Sequence, residues 1–500
     1  MDLLLITPPA PRFTRESFVH LGPALLKSHL SSQGKQVKLI DLTARIRARI
    51  PWVDPYDHAV LLLNDSKDLS AYLHGFHREE IDRAAGRLWE LIPARDRTAR
   101  VIGFSVFSRH LLKPALAMAA WLQRHDKKKK IVFGGWLFSD PLYHDITAFP
   151  WANHVVSGPG EDTVEKLTNG EPVSQRIISE PLPLKTLPCP VFENEDLLWY
   201  RRVSIRRMLL LPYLLTRGCR HQCQFCPSSR AVPEFMPIEK ASTELLALQE
   251  TYAPDAFFFS EVNLNNQTMY LSELCQCMLD SGLRTPWGGF ASLIGLSPTL
   301  IRLMAKAGCR YLQIGIESGS KRIRTRFNIF KVPNLPEVES ILANLRAAGI
   351  RLNLYFMHGF PHENEREFAQ SVDWLHRLSR YAATCVVSIF SVEPGTPIFL
   401  HPEEFGIRLH PPIHRNDSLA FLEPMFSLPK THMVTIPFDE INGMNWAEKF
   451  SQNLRRQQSL QRFLTNEVYA RHLLRISPCS PLYALKKKWF RPYFHYDVYL

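Results

Sequence analysis

Three of the nine cysteines crowd into Cys219-Arg-His-Gln-Cys223-Gln-Phe-Cys226, a Cys-x3-Cys-x2-Cys spacing that directly follows a strand-like stretch ending Thr216-Arg217-Gly218. Thiolates are soft ligands suited to iron–sulfur clusters. Three of them on one tight loop can hold three irons of a four-iron cluster and leave the fourth iron open to a substrate-derived ligand. The other chemistry open to such a loop is a zinc knuckle, but a closed zinc site takes four ligands in a tetrahedron. His221 lies inside the loop and, on this short spacing, is poorly placed to close one. Gly218 permits the turn into the loop and Pro227 ends it. Cys275 and Cys277 are two apart on a helical pattern and point to different faces, so they are poor joint ligands. With Cys189, Cys309, Cys385 and Cys479 they read as buried small hydrophobes or incidental thiols.

The elements that must position this loop read as two runs of alternating strands and helices. In residues 1–175 the strands are Asp2–Thr7, Val37–Asp41, Val101–Ser105, Ile131–Phe133 and His154–Val156, with helices at Ala24–Leu30 and Lys113–His125 and a helical insertion over 53–97. Residues 176–211 are richer in proline and read as a linker. Residues 212–400 carry strands at Tyr213–Arg217, Ala256–Ser260, Thr285–Phe290, Tyr311–Ile316, Asn353–His358 and Cys385–Ser391, with helices between them such as Leu300–Ala307 and Val338–Ala348. Strands alternating with helices mean parallel sheets. The first run reads as a doubly wound sheet, the second as a partial (β/α)6 TIM-like barrel with its reaction centre at the carboxyl ends of the strands. Residues 401–500 form a mainly helical accessory tail.

Composition narrows the class. The chain has 500 residues, 45% hydrophobic and 22% charged, with a net charge of +12. This excludes collagen-like, disordered and small disulfide-stapled proteins. The densest apolar run, Met208–Leu215, is broken by Pro212 and too short to span a bilayer. The N-terminus has no basic export-signal region, so a cytoplasmic location is expected, with reduced cysteines. The tail's Lys486-Lys-Lys488 with Trp489, Phe490, Tyr493 and Phe494 reads as a solvated face with a docking helix rather than a nucleic-acid surface. No Walker loop, serine nucleophile elbow or His-Glu-x-x-His zinc motif is present.

The cysteine triplet resembles the signature loop of the radical SAM superfamily. The resemblance implies that Cys219, Cys223 and Cys226 bind a [4Fe–4S] cluster and that S-adenosylmethionine (SAM) chelates the open iron. One electron then cleaves SAM to methionine and a 5′-deoxyadenosyl radical, which abstracts hydrogen from substrate. Phe257-Phe-Phe-Ser-Glu261, with Asn263 and Asn265, resembles the second-strand motif near the SAM amino group, which puts Ser260 or Glu261 there. Leu312–Ser320 resembles the fourth-strand segment and implies SAM contacts from Glu317 and Ser318. Taken alone, Glu317 reads equally well as a barrel-core salt bridge. Phe356-Met-His-Gly-Phe-Pro361, with Glu363 and Asn364, resembles the fifth-strand turn near the adenine, and Glu393–Pro397 the sixth-strand exit. Phe225 matches the aromatic that shields the adenine. Two places depart from the pattern. Ala291-Ser292-Leu293 stands where relatives carry an Arg for the SAM carboxylate, and His358 replaces a small or aliphatic residue, either as a proton donor near substrate or as a structural histidine.

Residues 1–175 are similar to the Rossmann-like cobalamin-binding domain that precedes many of these enzymes. Ser105, Gly134, Gly135, Gly158, Gly160 and Glu161 carry that resemblance at strand ends, where simple turn chemistry is the competing account of the glycines. The Asp-x-His-x-x-Gly segment that supplies a cobalt ligand is absent, and Ser108-Arg-His110 is not a substitute. The combined resemblance implies C-methylation, through cobalamin, of a natural-product or peptide substrate. The alternative is radical oxidation, cyclisation or rearrangement with no cobalamin bound. A flavodoxin or ferredoxin is the expected electron donor, and neither a membrane nor a nucleic acid is an expected partner. No catalytic residue is assigned.

Overall fold

Leu3–Thr7 (β1) is apolar up to its last residue and all five of its residues are buried, as in a strand covered on both faces. It pairs in parallel with Val37–Asp41 (β2) on one side and Val101–Ser105 (β3) on the other. Lys130–Gly134 (β4), His154–Ser157 (β5) and Arg176–Ile178 (β6) continue the sheet, each in parallel with its neighbour. The order is β2-β1-β3-β4-β5-β6. Growth reverses between β1 and β3, the place where open parallel sheets put ligands beyond their carboxyl edge. This computed structural model describes residues 1–11, 18–49, 54–66, 68–139, 141–203, 208–228, 231–410 and 436–473.

The helical insertion expected over 53–97 holds helices at Pro55–Asp65, Leu69–Leu73 and Glu79–Glu90. The first starts where it does because the Asp54 side chain accepts from Tyr56 N and Pro55 occupies the first turn. Residues 176–211, read from sequence as a linker, contribute the edge strand β6 and a helix at Asn194–Val203. That helix is tied to the first sheet through polar bonds. Asp196 accepts from Asp41 N at 3.0 Å and from Arg45 Nε at 2.9 Å, and Tyr200 donates to the Asp41 carboxylate. Burial pushes both carboxyls up, Asp41 to about 6 and Asp196 to about 7, with Arg45 opposing the rise.

The second run begins with Leu210–Tyr213 (β7), Thr216–Arg217 (β8) and Glu234–Phe235 (β9). Ala256–Phe259 (β10), Trp287–Ala291 (β11), Cys309–Glu317 (β12), Arg351–His358 (β13) and Thr384–Ile389 (β14) follow, with helices between them. A six-stranded sheet runs β14-β13-β12-β11-β10-β7, and β11 through β14 pair in parallel. This is the partial barrel expected from the alternation. The strand expected at Tyr213–Arg217 is divided: β7 joins this sheet, while β8 pairs antiparallel with β9. Grouped by internal contacts, Met1–Tyr213 and Thr243–Phe258 fall in one unit, and Leu214–Ser242, Phe259–Pro411 and the described part of Thr435–Leu500 in the other.

The tail holds an antiparallel pair, Ile407–Leu409 (β15) with Phe438–Glu440 (β16), and a helix at Trp446–Leu473. Lys486–Lys488, Trp489, Phe490, Tyr493, Phe494 and Cys479 lie outside the described residues. No helix among the described residues is long and apolar enough to cross a membrane. The other cysteines among the described residues stand outside disulfides: Cys275, Cys309 and Cys385 are buried, Cys189 and Cys277 half-buried.

Two strands of the sheet approach closely at β11. A Cβ on Gly288 would lie 2.3 Å from Tyr311 O on β12, whereas one on Gly22, in the helix Leu21–Ser32, meets nothing within 4 Å. Gly288→Ala is expected to destabilise by about 1–3 kcal/mol through overpacking. Gly22→Ala is expected to stabilise by up to about 1 kcal/mol through helix propensity. Thermal unfolding midpoints check both, and an unchanged midpoint for Gly288→Ala would contradict the packing.

Candidate active site

The cysteine loop is closed at its base by the β8–β9 ladder, which pairs Thr216 with Phe235 and Arg217 with Glu234. Met236 N donates to Leu215 O at 2.8 Å just below it. Gly218 has φ +77°, and a Cβ there would lie 2.6 Å from Val232 O, so the turn into the loop admits only glycine. Cys219 N donates to Ala231 O at 3.2 Å. On the far side Gln224 N donates to Phe327 O at 3.0 Å, and Gln224 O accepts from Ile398 N at 3.1 Å. The loop is thus fixed at both ends by main-chain bonds.

Cys223 is buried, and Cys219 and Cys226 are half-buried. Burial pushes the Cys223 thiol up to about 12 and raises Cys219 as well. Metal binding requires the thiolate, so the loop calls for positive charge. Lys331 supplies it. Its Nζ lies 2.7 Å from Glu317 Oε1. Burial works against its charge, but Glu317, Cys223 and Cys226 together hold it above the usual lysine range. Glu317, expected at the SAM site and equally as a salt-bridge partner, therefore makes the salt bridge and stands beside the thiols, interacting with Cys223. It sits at the end of β12 with φ +65°, where the β12–β13 register shifts between Gly315 and Glu317.

Glu261 is buried, and its Oε2 accepts from Leu215 N at 3.4 Å while Oε1 has no partner. Burial pushes its carboxyl up to about 8. Ser260 beside it is half-buried. Ser318 is buried; its hydroxyl bonds Ser371 at 3.0 Å and accepts from Ser320 N at 3.1 Å. Its side chain is therefore engaged within the protein. Phe225 meets Phe360 and Phe390 edge-on, with centroids 6.1 and 6.4 Å apart. His221 is half-buried with Nε2 unpartnered, and burial, helped by Lys331 and Arg220, lowers it to about 4. Among the described residues no three Cys, His, Asp or Glu side chains converge as a single ion would need. The fit to a cluster thus rests on the donors and their setting: three thiols on a loop fixed at both ends, a lysine that interacts electrostatically with them, and a buried oxygen of Glu261 without a partner.

His358 lies on the face of β13 shared with Leu354 and Phe356, which packs toward helices. Its Nε2 is 2.7 Å from Gln457 Oε1, and its ring meets Phe368 at 5.5 Å. Burial lowers it to about 4, which keeps it neutral. These partners anchor one ring nitrogen, while Nδ1 is buried without a partner. The opposite face of β11–β14 carries half-buried Phe290, Gly315, Tyr355, Met357, Val386 and Ser388. Gln313 lies on that face, fully buried; its Oε1 accepts from Tyr355 OH and its Nε2 has no partner.

In the first unit, Ser105 pairs with Gly134 across β3 and β4. A Cβ on Gly135 would lie 2.7 Å from Val106 O, and one on Gly158 2.5 Å from Ser179 O. Both glycines are required by the protein's own backbone. Gly134 and Gly160 meet nothing closer than 3.6 Å. Glu161 is buried with Oε2 unpartnered. The sheet topology suits a corrin-binding domain, but the glycine pattern alone builds no cradle for one. Lys331 escaped the sequence reading because a single lysine after Asn328-Ile-Phe carries no spacing signal.

Two expectations follow. Glu261→Gln removes an acid that keeps its proton in the folded state to about pH 8, against 4.5 for an ordinary glutamate. Between those values the unfolded chain binds fewer protons, so the wild type loses stability as pH rises. The melting advantage of Glu261→Gln should grow from about pH 5 to about pH 8 and then level off; a pH-independent difference contradicts it. Lys331→Met and Glu317→Gln should be non-additive in the metal-free protein by about 1–3 kcal/mol in a double-mutant cycle, because either change alone strands the other partner. Simple additivity contradicts the pairing.

A profile of the radical SAM superfamily matches residues 213–375. Over 197 residues the chain is 29% identical to a bacteriochlorophyllide d C-12(1)-methyltransferase of Chlorobaculum tepidum, covering 38% of this chain and 42% of that protein. It is 25% identical over 211 residues to a cytidylyl-2-hydroxyethylphosphonate methyltransferase of Streptomyces wedmorensis, covering 39% of each. The chain thus spans about two-fifths of the length of these curated relatives. The radical SAM methyltransferase TsrM from Kitasatospora setae, solved with cobalamin and a [4Fe–4S] cluster bound, superposes with a TM-score of 0.62 at 14% identity over 91% of each chain. That likeness establishes the two-part fold. Profile and cysteine loop coincide on one region: residues 213–375 of this chain, which hold the three cysteines, match the radical SAM superfamily, whose members use a [4Fe–4S] cluster and SAM.

Proposed function

We propose that Cys219, Cys223 and Cys226 hold a [4Fe–4S] cluster and that the protein methylates an unactivated carbon of a small natural product or peptide. The observation that carries the reading is the three-thiol loop, braced at both ends, with the Lys331–Glu317 pair beside it. When bound, the cluster and SAM supply a 5′-deoxyadenosyl radical by one-electron cleavage, and cobalamin supplies the methyl group.

This chain's residues bind and orient. Lys331 offsets thiolate charge and offers a cation to a carboxylate, where Ala291-Ser292-Leu293 offers none. Glu261 Oε1 receives an ammonium group, which would return its carboxyl toward the ionised form. Phe225, with Phe360 and Phe390, walls off water from the loop. The face bearing Phe290, Tyr355 and Met357 receives the substrate, with Gln313 Nε2 as a hydrogen-bond donor on it. Methyl transfer is supported by the methyltransferase names of the relatives and by the fold shared with TsrM. A flavodoxin or ferredoxin as electron donor and a cytoplasmic location belong to the same reading.

A second reading, radical chemistry without cobalamin, is favoured by Gly135 and Gly158, whose lack of a side chain serves the protein's own backbone. One preparation separates the two. Protein purified without air from cobalamin-fed cells should, after reconstitution, reductant and SAM, release 5′-deoxyadenosine, and Cys219/Cys223/Cys226→Ala should release none. Retained corrinoid supports the methyltransferase; its absence, with deoxyadenosine still formed, supports the second reading. No deoxyadenosine from the wild type overturns both.

A further inference from the structure

Asn266 lies outside every motif, yet its side chain grips the main chain on both sides of Cys219. Its Oδ1 accepts from Arg220 N at 3.0 Å, and its Nδ2 donates to Gly218 O at 3.0 Å. A second bond joins the same residues, from the Arg220 guanidinium to Asn266 O at 3.2 Å. Asn266 is 4% exposed and its bonds to the loop are part-buried, so leaving its buried amide unpaired is costly. Only an amide fits both jobs from one position, because it carries a donor and an acceptor side by side.

The clip is itself held. Asn263 Nδ2 donates to Asn266 Oδ1 at 3.1 Å, and Asn263 Oδ1 accepts from Ser292 N at 3.0 Å. Ser292 N also reaches Asn265 Oδ1 at 2.9 Å, and Asn265 Nδ2 donates to Ser292 O at 3.0 Å and Ile294 O at 2.8 Å. A continuous row of buried amides therefore runs from the end of β11, through the turn after β10, to the first cysteine.

We propose that Asn266 is a positioning residue for the metal cluster: it fixes the peptide groups flanking Cys219 so that this thiol meets its iron, and it does so only as an uncharged amide. The proposal rests on the reading that Cys219, Cys223 and Cys226 hold a [4Fe–4S] cluster.

The test uses the full chain, reconstituted without air with iron and sulfide. Asn266→Ala is expected to lose its visible cluster absorbance to EDTA about tenfold faster than the wild type, the usual scale for an outer partner of a metal ligand. Its reduced cluster should also give an altered electron paramagnetic resonance spectrum, with a smaller shift on adding SAM. Asn266→Asp keeps the acceptor for Arg220 N, loses the donor to Gly218 O and adds negative charge. It should bleach faster than the wild type and be reduced only at a lower potential. A residue that merely supports the fold would lower the melting midpoint and leave spectrum and potential unchanged. If Asn266→Ala does not fold, Asn266→Asp carries the test alone. Wild-type bleaching, spectrum and potential in the folded variant overturn the proposal. A cluster that still assembles in Cys219/Cys223/Cys226→Ala overturns the cluster reading and this proposal with it.

Discussion

Thiols removed from water resist losing their protons, and the architecture around the cysteine loop answers that resistance. Cys223, deepest of the three, is held as a thiol up to about 12 by burial. Ligating a metal reverses that state, which requires positive charge nearby and a loop that does not relax away. Lys331 supplies the charge, and Glu317 holds the lysine in place at 2.7 Å. The demand reaches into the strand. Glu317 adopts φ +65° at the end of β12, and a Cβ on Gly315 would fall 2.0 Å from its carboxylate. The glycine of Gln-Ile-Gly-Ile-Glu is therefore explained by the side chain that folds back across it.

The rest of the second unit works as a brace. The β8–β9 ladder shuts the base of the loop, Phe327 O and Ile398 N hold its far end, and the asparagine row fixes its start. None of these bonds is strong alone, since a hydrogen bond contributes about 0.5–1.5 kcal/mol net. Their value is geometric: several short restraints from different strands leave the loop few ways to move. In the first unit the same economy appears at Asp41, Asp196 and Tyr200, where buried acids share bonds with Arg45 and main-chain groups and lock the helix at Asn194–Val203 onto its sheet.

Much of this was legible in the residue pattern because it is local. Continuous apolar runs mark strands covered on both faces. The strand read at Tyr213–Arg217 failed in a telling way. Its composition suits one strand throughout, but Thr216 and Arg217 turn away to pair with Glu234 and Phe235, and no local preference encodes which partner a strand end takes. His358 was ambiguous for a similar reason: its type allows acid–base chemistry, and only the tertiary structure sets it on the side of β13 shared with Leu354 and Phe356, against Gln457 and Phe368.

What the chain's order of residues determined unaided was the donor set, three thiols on a short loop entered through a glycine, and the alternation that forces parallel sheets. Both follow from neighbours along the backbone, where spacing alone sets which groups face together. The tertiary structure decided which charges and amides meet that loop. Asn266 bonds the loop from a turn after β10, and Lys331, in the turn after the helix Lys321–Arg326, interacts electrostatically with its thiols; contacts of that kind are set by how strands stack in a sheet, which makes residues far apart in the chain close in space.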